Sequence, residues 1–139
     1  QVVGDQQHRE AALAAERRAP EDIAILRGHL EAMATDIAAG REGVDADTAF
    51  HTAIARAADN AYLMRFAEFL GTSLREAIRT APSNPARYPG TPDQVQDEHR
   101  AVFEAVAAGD PKAAGKAMRR HIENAMRRLG LDIEEKLEE

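Results

Sequence analysis

Most prolines and several glycines of this chain are concentrated in short stretches. Between them lie long segments whose apolar residues recur every three or four positions. That spacing puts the apolar residues on one face of an α-helix. Alanine is abundant, and aromatic residues make up only 4% of the 139 residues, which disfavours strands. The pattern predicts an all-α protein with enough chain for one domain around a buried core.

Helix-start and helix-stop signals divide the chain into six predicted helices. Pro20, Asn60 and Asp110 are suited to the first positions of helices. Gly71 is a candidate for a kink within the fourth helix, and residues 81–92, with four prolines and a glycine, are predicted to be a loop. The first three predicted helices are residues 5–18, a helix from Pro20 to the glycines at 40 and 43, and residues 45–58. The fourth begins at Asn60, the fifth covers residues 91–109, and the sixth begins at Asp110 and precedes an acidic tail.

Charge and composition exclude several classes of protein. A net charge of −6 makes the chain a poor direct DNA binder, because phosphate contacts need clustered Lys and Arg. The absence of cysteine excludes disulfides and thiolate metal sites. No apolar run is long enough to span a membrane, and no signal peptide is visible, so we expect a cytoplasmic protein with no membrane partner. Residue 1 is not a methionine, which leaves open both further sequence upstream and a stand-alone domain.

Four polar residues fall on helical stripes that otherwise carry apolar residues. Asp47 and His51 lie one turn apart on the third helix, His99 lies on the fifth and His121 on the sixth. An inward carboxylate or imidazole without a partner costs several kcal/mol. A shared divalent metal ion would supply that partner for all four residues.

The ligand types narrow the choice of metal. Three imidazoles and a carboxylate suit Zn, Ni, Mn or Fe, whereas Ca and Mg prefer oxygen ligands. The spacing alone is equally consistent with hydrogen-bonded core histidines and an ordinary Asp–His ion pair. Of the other two histidines, His8 lies in a weakly defined helix and His29 flanks its stripe, so neither is assigned a role.

The motif from Asp47 through Phe50-His51 to Asn60 resembles the D-x-x-F-H…N signature of the FCD domain. This domain is the C-terminal effector-binding half of FadR-type regulators in the GntR family. The similarity continues through Glu98-His99, Gly109-Asp110 and Met118 to His121, and it includes residues 13–18, 20–22 and 26–33. It therefore covers nearly the whole chain.

The resemblance implies an antiparallel bundle of six to seven helices around a central metal and ligand cavity, with residues 1–139 as one domain. The implied metal ligands are Asp47, His51, His99 and His121, with Zn expected first and Ni, Mn or Fe as alternatives. It also implies a small carboxylic-acid effector and a homodimer. DNA would be bound only through an N-terminal winged helix-turn-helix domain, which this chain lacks, and the first helix looks truncated.

Three further residues are candidates for effector contacts. Asn124 lies one helical turn beyond His121 and is predicted to reach the same cavity. Arg75 and Arg79 are candidates for a carboxylate clamp, because guanidinium binds carboxylate in bidentate fashion. On a straight fourth helix both would face away from its apolar stripe, so the clamp requires a break near Gly71.

An allosteric sensor domain is the leading functional hypothesis, and two alternatives remain. A metalloenzyme would use the same centre to activate water. We find no spare inward Glu or His to act as its base, and Glu98 is expected to point elsewhere because it adjoins His99. A purely structural metal is the other alternative.

Overall fold

A computed structural model describes residues 2–41, 43–80 and 91–128, and within these ranges the chain forms six α-helices and no strand. The all-α prediction and the helical bundle are therefore confirmed. The helices are α1 Val2–Arg17, α2 Pro20–Ala38, α3 Val44–Ala58, α4 Ala61–Thr80, α5 Thr91–Ala108 and α6 Pro111–Arg128. The predicted loop begins outside the described residues, but its last two positions, 91 and 92, belong to α5. The acidic tail also lies outside them.

The side chains of Asn60 and Asp110 cap the N-termini of α4 and α6, as their residue types predict. The Asn60 side-chain oxygen accepts a hydrogen bond from the Tyr62 backbone N–H at 3.0 Å. The Asp110 carboxylate accepts one from the Ala113 N–H at 3.1 Å, and Pro111 occupies the first position of α6. These bonds satisfy amide groups that have no partner inside the helix.

Helix α1 is enclosed by three others. It packs most extensively against α6 and also contacts α3 and α5. Ala11, Ala14 and Ala15 are fully buried on it, and their small side chains allow neighbouring helices to approach closely. At the end of α1, Arg17 donates to the Ala58 carbonyl of α3, and Arg18 donates to the Ala107 carbonyl of α5.

The remaining core comes from apolar residues at helical spacing on four other helices. Nearly all buried apolar residues of α2, α3, α5 and α6 form one cluster with the alanines of α1. Its largest members include Phe50, Leu26, Ile54 and Met118. Because α3, α5 and α6 each contribute both apolar residues and a histidine to the interior, packing of the core also sets the positions of those histidines.

Helix α4 packs on α3 and continues through Gly71 without interruption. A Cβ atom added at Gly71 would lie 3.0 Å from the Thr48 methyl group, so the absence of a side chain permits this close approach. The spacing of four apolar residues of α4 predicts that they face inward, but their side chains lie outside the described ones; they are Leu63, Phe66, Leu70 and Leu74. Among the described helices, none has the length and apolar character needed to cross a membrane.

Candidate metal centre

The fold brings together three histidines from three helices. His51 of α3, His99 of α5 and His121 of α6 each offer a ring nitrogen, and these nitrogens lie within 4.8 Å of one another. The ring centroids of His99 and His121 are 4.4 Å apart, and each lies 5.3 Å from that of His51. The three rings therefore face one small volume in the interior.

Asp47 completes the group at its outer edge. Its Oδ1 atom lies 3.2 Å from the Nε2 atoms of both His51 and His99, and 31% of its side chain is exposed. Burial acts to raise the pKa of Asp47, but close contact with the two imidazoles outweighs it and holds the pKa well below the usual range. Asp47 is thus a carboxylate anion directed at two imidazoles.

His99 is the most deeply buried member, with 1% of its side chain exposed. Within the described part of the chain, neither of its ring nitrogens has a hydrogen-bond partner. Its 3.2 Å approach to Asp47 is therefore a close contact without hydrogen-bond alignment. Buried polar groups in folded proteins nearly always have a hydrogen-bond partner. The two ring nitrogens of His99 therefore indicate a partner that is not among the described protein atoms.

The donor set fits a divalent transition metal. Nitrogen ligands about 2.1 Å from a tetrahedral zinc ion lie roughly 3.4 Å from one another, within the spread of the three histidines. His51 and His99 both direct Nε2 towards the same Asp47 oxygen. These four residues could hold the ion between α3, α5 and α6.

A second carboxylate supports the cluster from outside. Glu98 of α5 lies with Oε1 2.8 Å from His121 Nδ1, and its Oε2 accepts a hydrogen bond from Asn124 Nδ2 at 2.9 Å. Both terminal nitrogens of Arg128 also donate to it, one at 2.9 Å. Asn124 in turn accepts a hydrogen bond from Arg127.

The charges in this network suit metal binding. Burial lowers the pKa of His121 to about 4, so its ring is neutral near pH 7. Burial acts to raise the pKa of Glu98, but hydrogen bonds from His121, Arg128 and Asn124 hold it far below the usual value. A neutral ring that donates from Nδ1 to a carboxylate leaves its Nε2 lone pair free for a metal.

Sequence reasoning missed the role of Glu98. The expectation that it points elsewhere was wrong, because Glu98 reaches His121 on the neighbouring helix. A readable signal was the spacing of its partners, since His121, Asn124 and Arg128 recur on one face of α6.

The predicted effector contacts have different outcomes. The structure places Asn124 beside the cluster, but its amide is engaged by Glu98 and Arg127. The side chains of Arg75 and Arg79 lie outside the described ones. The break near Gly71 that their clamp requires does not occur in the backbone of α4.

Glu10 is a further buried carboxyl that the sequence did not single out. It is fully buried on α1, and within the described residues neither of its oxygens has a hydrogen-bond partner. Burial raises its pKa to about 8. A carboxyl in this environment is protonated at neutral pH.

The other two histidines stand apart from the cluster. His29 is half-buried beside a separate cleft of about 330 Å³ between α2 and α3. The ring of His8 packs against Gly115 of α6, where an added Cβ atom would lie 2.6 Å from Nε2. Neither belongs to the histidine group found in the described part of the chain.

Residues 9–124 match the sequence model of the FCD domain. The chain is 34% identical over 115 residues to the HTH-type transcriptional regulator LutR of Bacillus subtilis, covering 82% of this chain and 52% of that protein. It is 34% identical over 100 residues to a probable D-xylose utilization operon transcriptional repressor of Paenarthrobacter nicotinovorans, covering 70% and 42% of the two chains.

Two further proteins extend the comparison. A putative L-lactate dehydrogenase operon regulatory protein of Escherichia coli is 32% identical over 77 residues, which cover 55% of this chain and 30% of that protein. The solved structure of Streptococcus agalactiae GntR has a TM-score of 0.73 at 20% identity, covering 87% of this chain and 52% of that one. This chain thus spans about half the length, or less, of the curated relatives it matches.

Proposed function

The chain belongs to the FCD domain family of GntR-type transcriptional regulators, and from that premise we propose that it is a metal-dependent effector sensor. Its output would be a change in DNA binding by another part of the regulator, not catalysis. The relatives are named as transcriptional regulators or repressors, which supports a regulatory role.

The observation that carries the metal proposal is the buried His99, whose ring nitrogens have no hydrogen-bond partner among the described residues and lie beside two other histidines and a carboxylate. Asp47, His51, His99 and His121 would hold the ion, with zinc expected first and nickel, manganese or iron as alternatives. A bound ion would supply positive charge and open coordination positions at the centre of the bundle. Asp47 has the most exposed side chain of the four residues. A ligand can therefore reach the site most easily from the side of Asp47.

We propose a small carboxylic acid as the effector. Its carboxylate would complement the positive charge of the centre. One relative is named for an L-lactate dehydrogenase operon and another for D-xylose utilization, so lactate and xylose form a natural pair of probes. Asn124 remains a predicted contact for the rest of the effector, whereas Arg75 and Arg79 would join it only if α4 broke near Gly71 on binding. Asn124 would have to exchange its present partners to make one.

Dimerisation and DNA control are further parts of the proposal. A homodimer would let an effector-dependent shift in helix packing change the relative placement of two DNA-binding segments. An effector can shift such an equilibrium only through different affinities for the two states. The acidic charge of this chain supports placing the DNA contacts elsewhere in the regulator.

The test combines metal analysis with thermal-shift measurements on the purified chain. We expect a stoichiometric divalent metal, and a rise in melting temperature with a small carboxylate that disappears after chelation. D-xylose serves as the uncharged comparison. Chelation that unfolds the chain, with no carboxylate response beforehand, would instead indicate a structural metal. Turnover of hydrolysable substrates would indicate an enzyme.

A further inference from the structure

Glu98 joins the histidine cluster to the last turns of α6. Its carboxylate contacts His121 Nδ1 on one side and Asn124 and Arg128 on the other. Arg128 binds it with both terminal nitrogens, a geometry that fixes the carboxylate plane. Four hydrogen bonds therefore converge on one half-buried side chain.

This arrangement controls which nitrogen of His121 carries the proton. An imidazole that donates through Nδ1 to a carboxylate keeps Nε2 unprotonated, and only an unprotonated nitrogen can bind a metal. Metal-binding histidines commonly donate their other N–H to a carboxylate, which also fixes the orientation of the ring. His121 has such a partner in Glu98, whereas His99 Nδ1 has none among the described residues.

Resting on the metal site proposed above, we propose that Glu98 is a positioning residue for it. Glu98 holds His121 in the Nδ1-protonated form and connects metal binding to the order of the final turns of α6. A ring fixed in this way loses less freedom when it binds the ion. Conversely, a bound ion restrains His121 and, through Glu98, also restrains Asn124 and Arg128.

The test measures zinc affinity by competition with a chromophoric chelator for the wild-type chain, Glu98→Ala and Glu98→Gln. Nitrogen-15 NMR of the histidine rings reports the protonated nitrogen in the metal-free proteins. We expect Glu98→Ala to weaken zinc binding about 10- to 100-fold and to lose the Nδ1-protonated form of His121. Glu98→Gln retains an acceptor oxygen, so we expect it to restore that form and much of the affinity.

Asp97→Ala is the matched control, because Asp97 is the exposed neighbour of Glu98 and its hydrogen bond goes to Arg100. We expect it to leave both measurements unchanged. Glu98 also lines an open groove of about 790 Å³ between α5 and α6, so water can fill the space left by truncation. Should Glu98→Ala nevertheless unfold, Glu98→Asp replaces it in the test. Its shorter side chain withdraws the carboxylate from His121, so we expect the same loss of zinc affinity and of the Nδ1-protonated form.

Unchanged zinc affinity and an unchanged His121 proton position in Glu98→Ala would overturn the role of Glu98. A wild-type chain that binds none of zinc, nickel, manganese or iron would overturn the proposed metal site instead. In that event the NMR measurement still decides whether Glu98 sets the protonation of His121, so the two failures are distinguishable.

Discussion

Glu10→Gln should change how the stability of the protein depends on pH. Glu10 is fully buried, and burial raises its pKa from the usual 4.5 to about 8. The folded state therefore holds this proton more tightly than the unfolded state. Its contribution to stability is complete below about pH 4.5 and is lost as the pH rises towards 8.

The magnitude follows from the two pKa values. Each pH unit between them costs the folded state about 1.4 kcal/mol of unfolding free energy. Between pH 5 and pH 8 the loss adds up to about 3–4 kcal/mol, a large part of the stability of an ordinary small domain. Glutamine has nearly the same shape and no charge to bury, so Glu10→Gln should not suffer this loss.

Urea denaturation followed by circular dichroism measures the effect across that pH range, with a chelator present so that metal binding does not contribute. The difference in unfolding free energy between Glu10→Gln and wild type should move in favour of the variant by about 3–4 kcal/mol from pH 5 to pH 8. Glu16→Gln is the control on the same helix, because Glu16 is exposed, and its difference should stay flat. A flat difference for Glu10→Gln as well would refute the argument that burial controls this carboxyl.

Four further substitutions test the site and the packing. His99→Ala should weaken zinc binding more than about 100-fold, beyond the usual effect of a supporting residue, and the same chelator competition measures it; an affinity near wild type would exclude His99 as a ligand. Gly109→Ala should destabilise the chain by about 1–2 kcal/mol, because Gly109 has φ of +68° and an added Cβ would lie 2.5 Å from the Arg18 guanidinium. Its counterpart is Gly28→Ala within α2, where an added Cβ would meet no described atom within 4 Å, and this change should stabilise by about 0.5–1 kcal/mol; urea denaturation measures both, and a stable Gly109→Ala or a destabilised Gly28→Ala would contradict its own prediction. Phe50→Ala should cost about 3–5 kcal/mol in the same assay, since the ring is fully buried, and a loss below 1 kcal/mol would place Phe50 outside a close-packed core.

The helices and much of the core were predictable because their causes are local. Leu26, Leu30 and Met33 recur at helical spacing and are buried as that spacing predicts. Asn60 and Asp110 satisfy backbone amides within three residues of themselves, so their role depends on no distant part of the chain.

The convergence of the three histidines was predictable for a related reason. Each lies on an apolar stripe, and stripes in a bundle face a common interior. Their ability to bind a metal remains a prediction, because spacing fixes the face of a helix but not the distances between side chains on different helices. Those distances depend on how α3, α5 and α6 pack.

The roles of Glu98 and Glu10 could not be obtained in that way. Glu98 acquires its function from residues on α6, and no rule for a single helix links it to His121. Glu10 is buried because α1 is enclosed by three helices. An alanine-rich helix has a weak difference between its faces, so its sequence does not reveal which carboxylate faces inward.

The enclosure of α1 also has a consequence for the order of folding. During synthesis this helix emerges before the partners it requires: Arg17 pairs with a carbonyl 41 residues later, and Arg18 with one 89 residues later. Asp5 pairs with Arg119, 114 residues away. Contacts so distant in sequence form slowly, because a long loop must close before they are made. Because α6 is the most extensive partner of α1, the alanine face of α1 stays incompletely covered until α6 has left the ribosome, and apolar surface exposed during that interval favours aggregation.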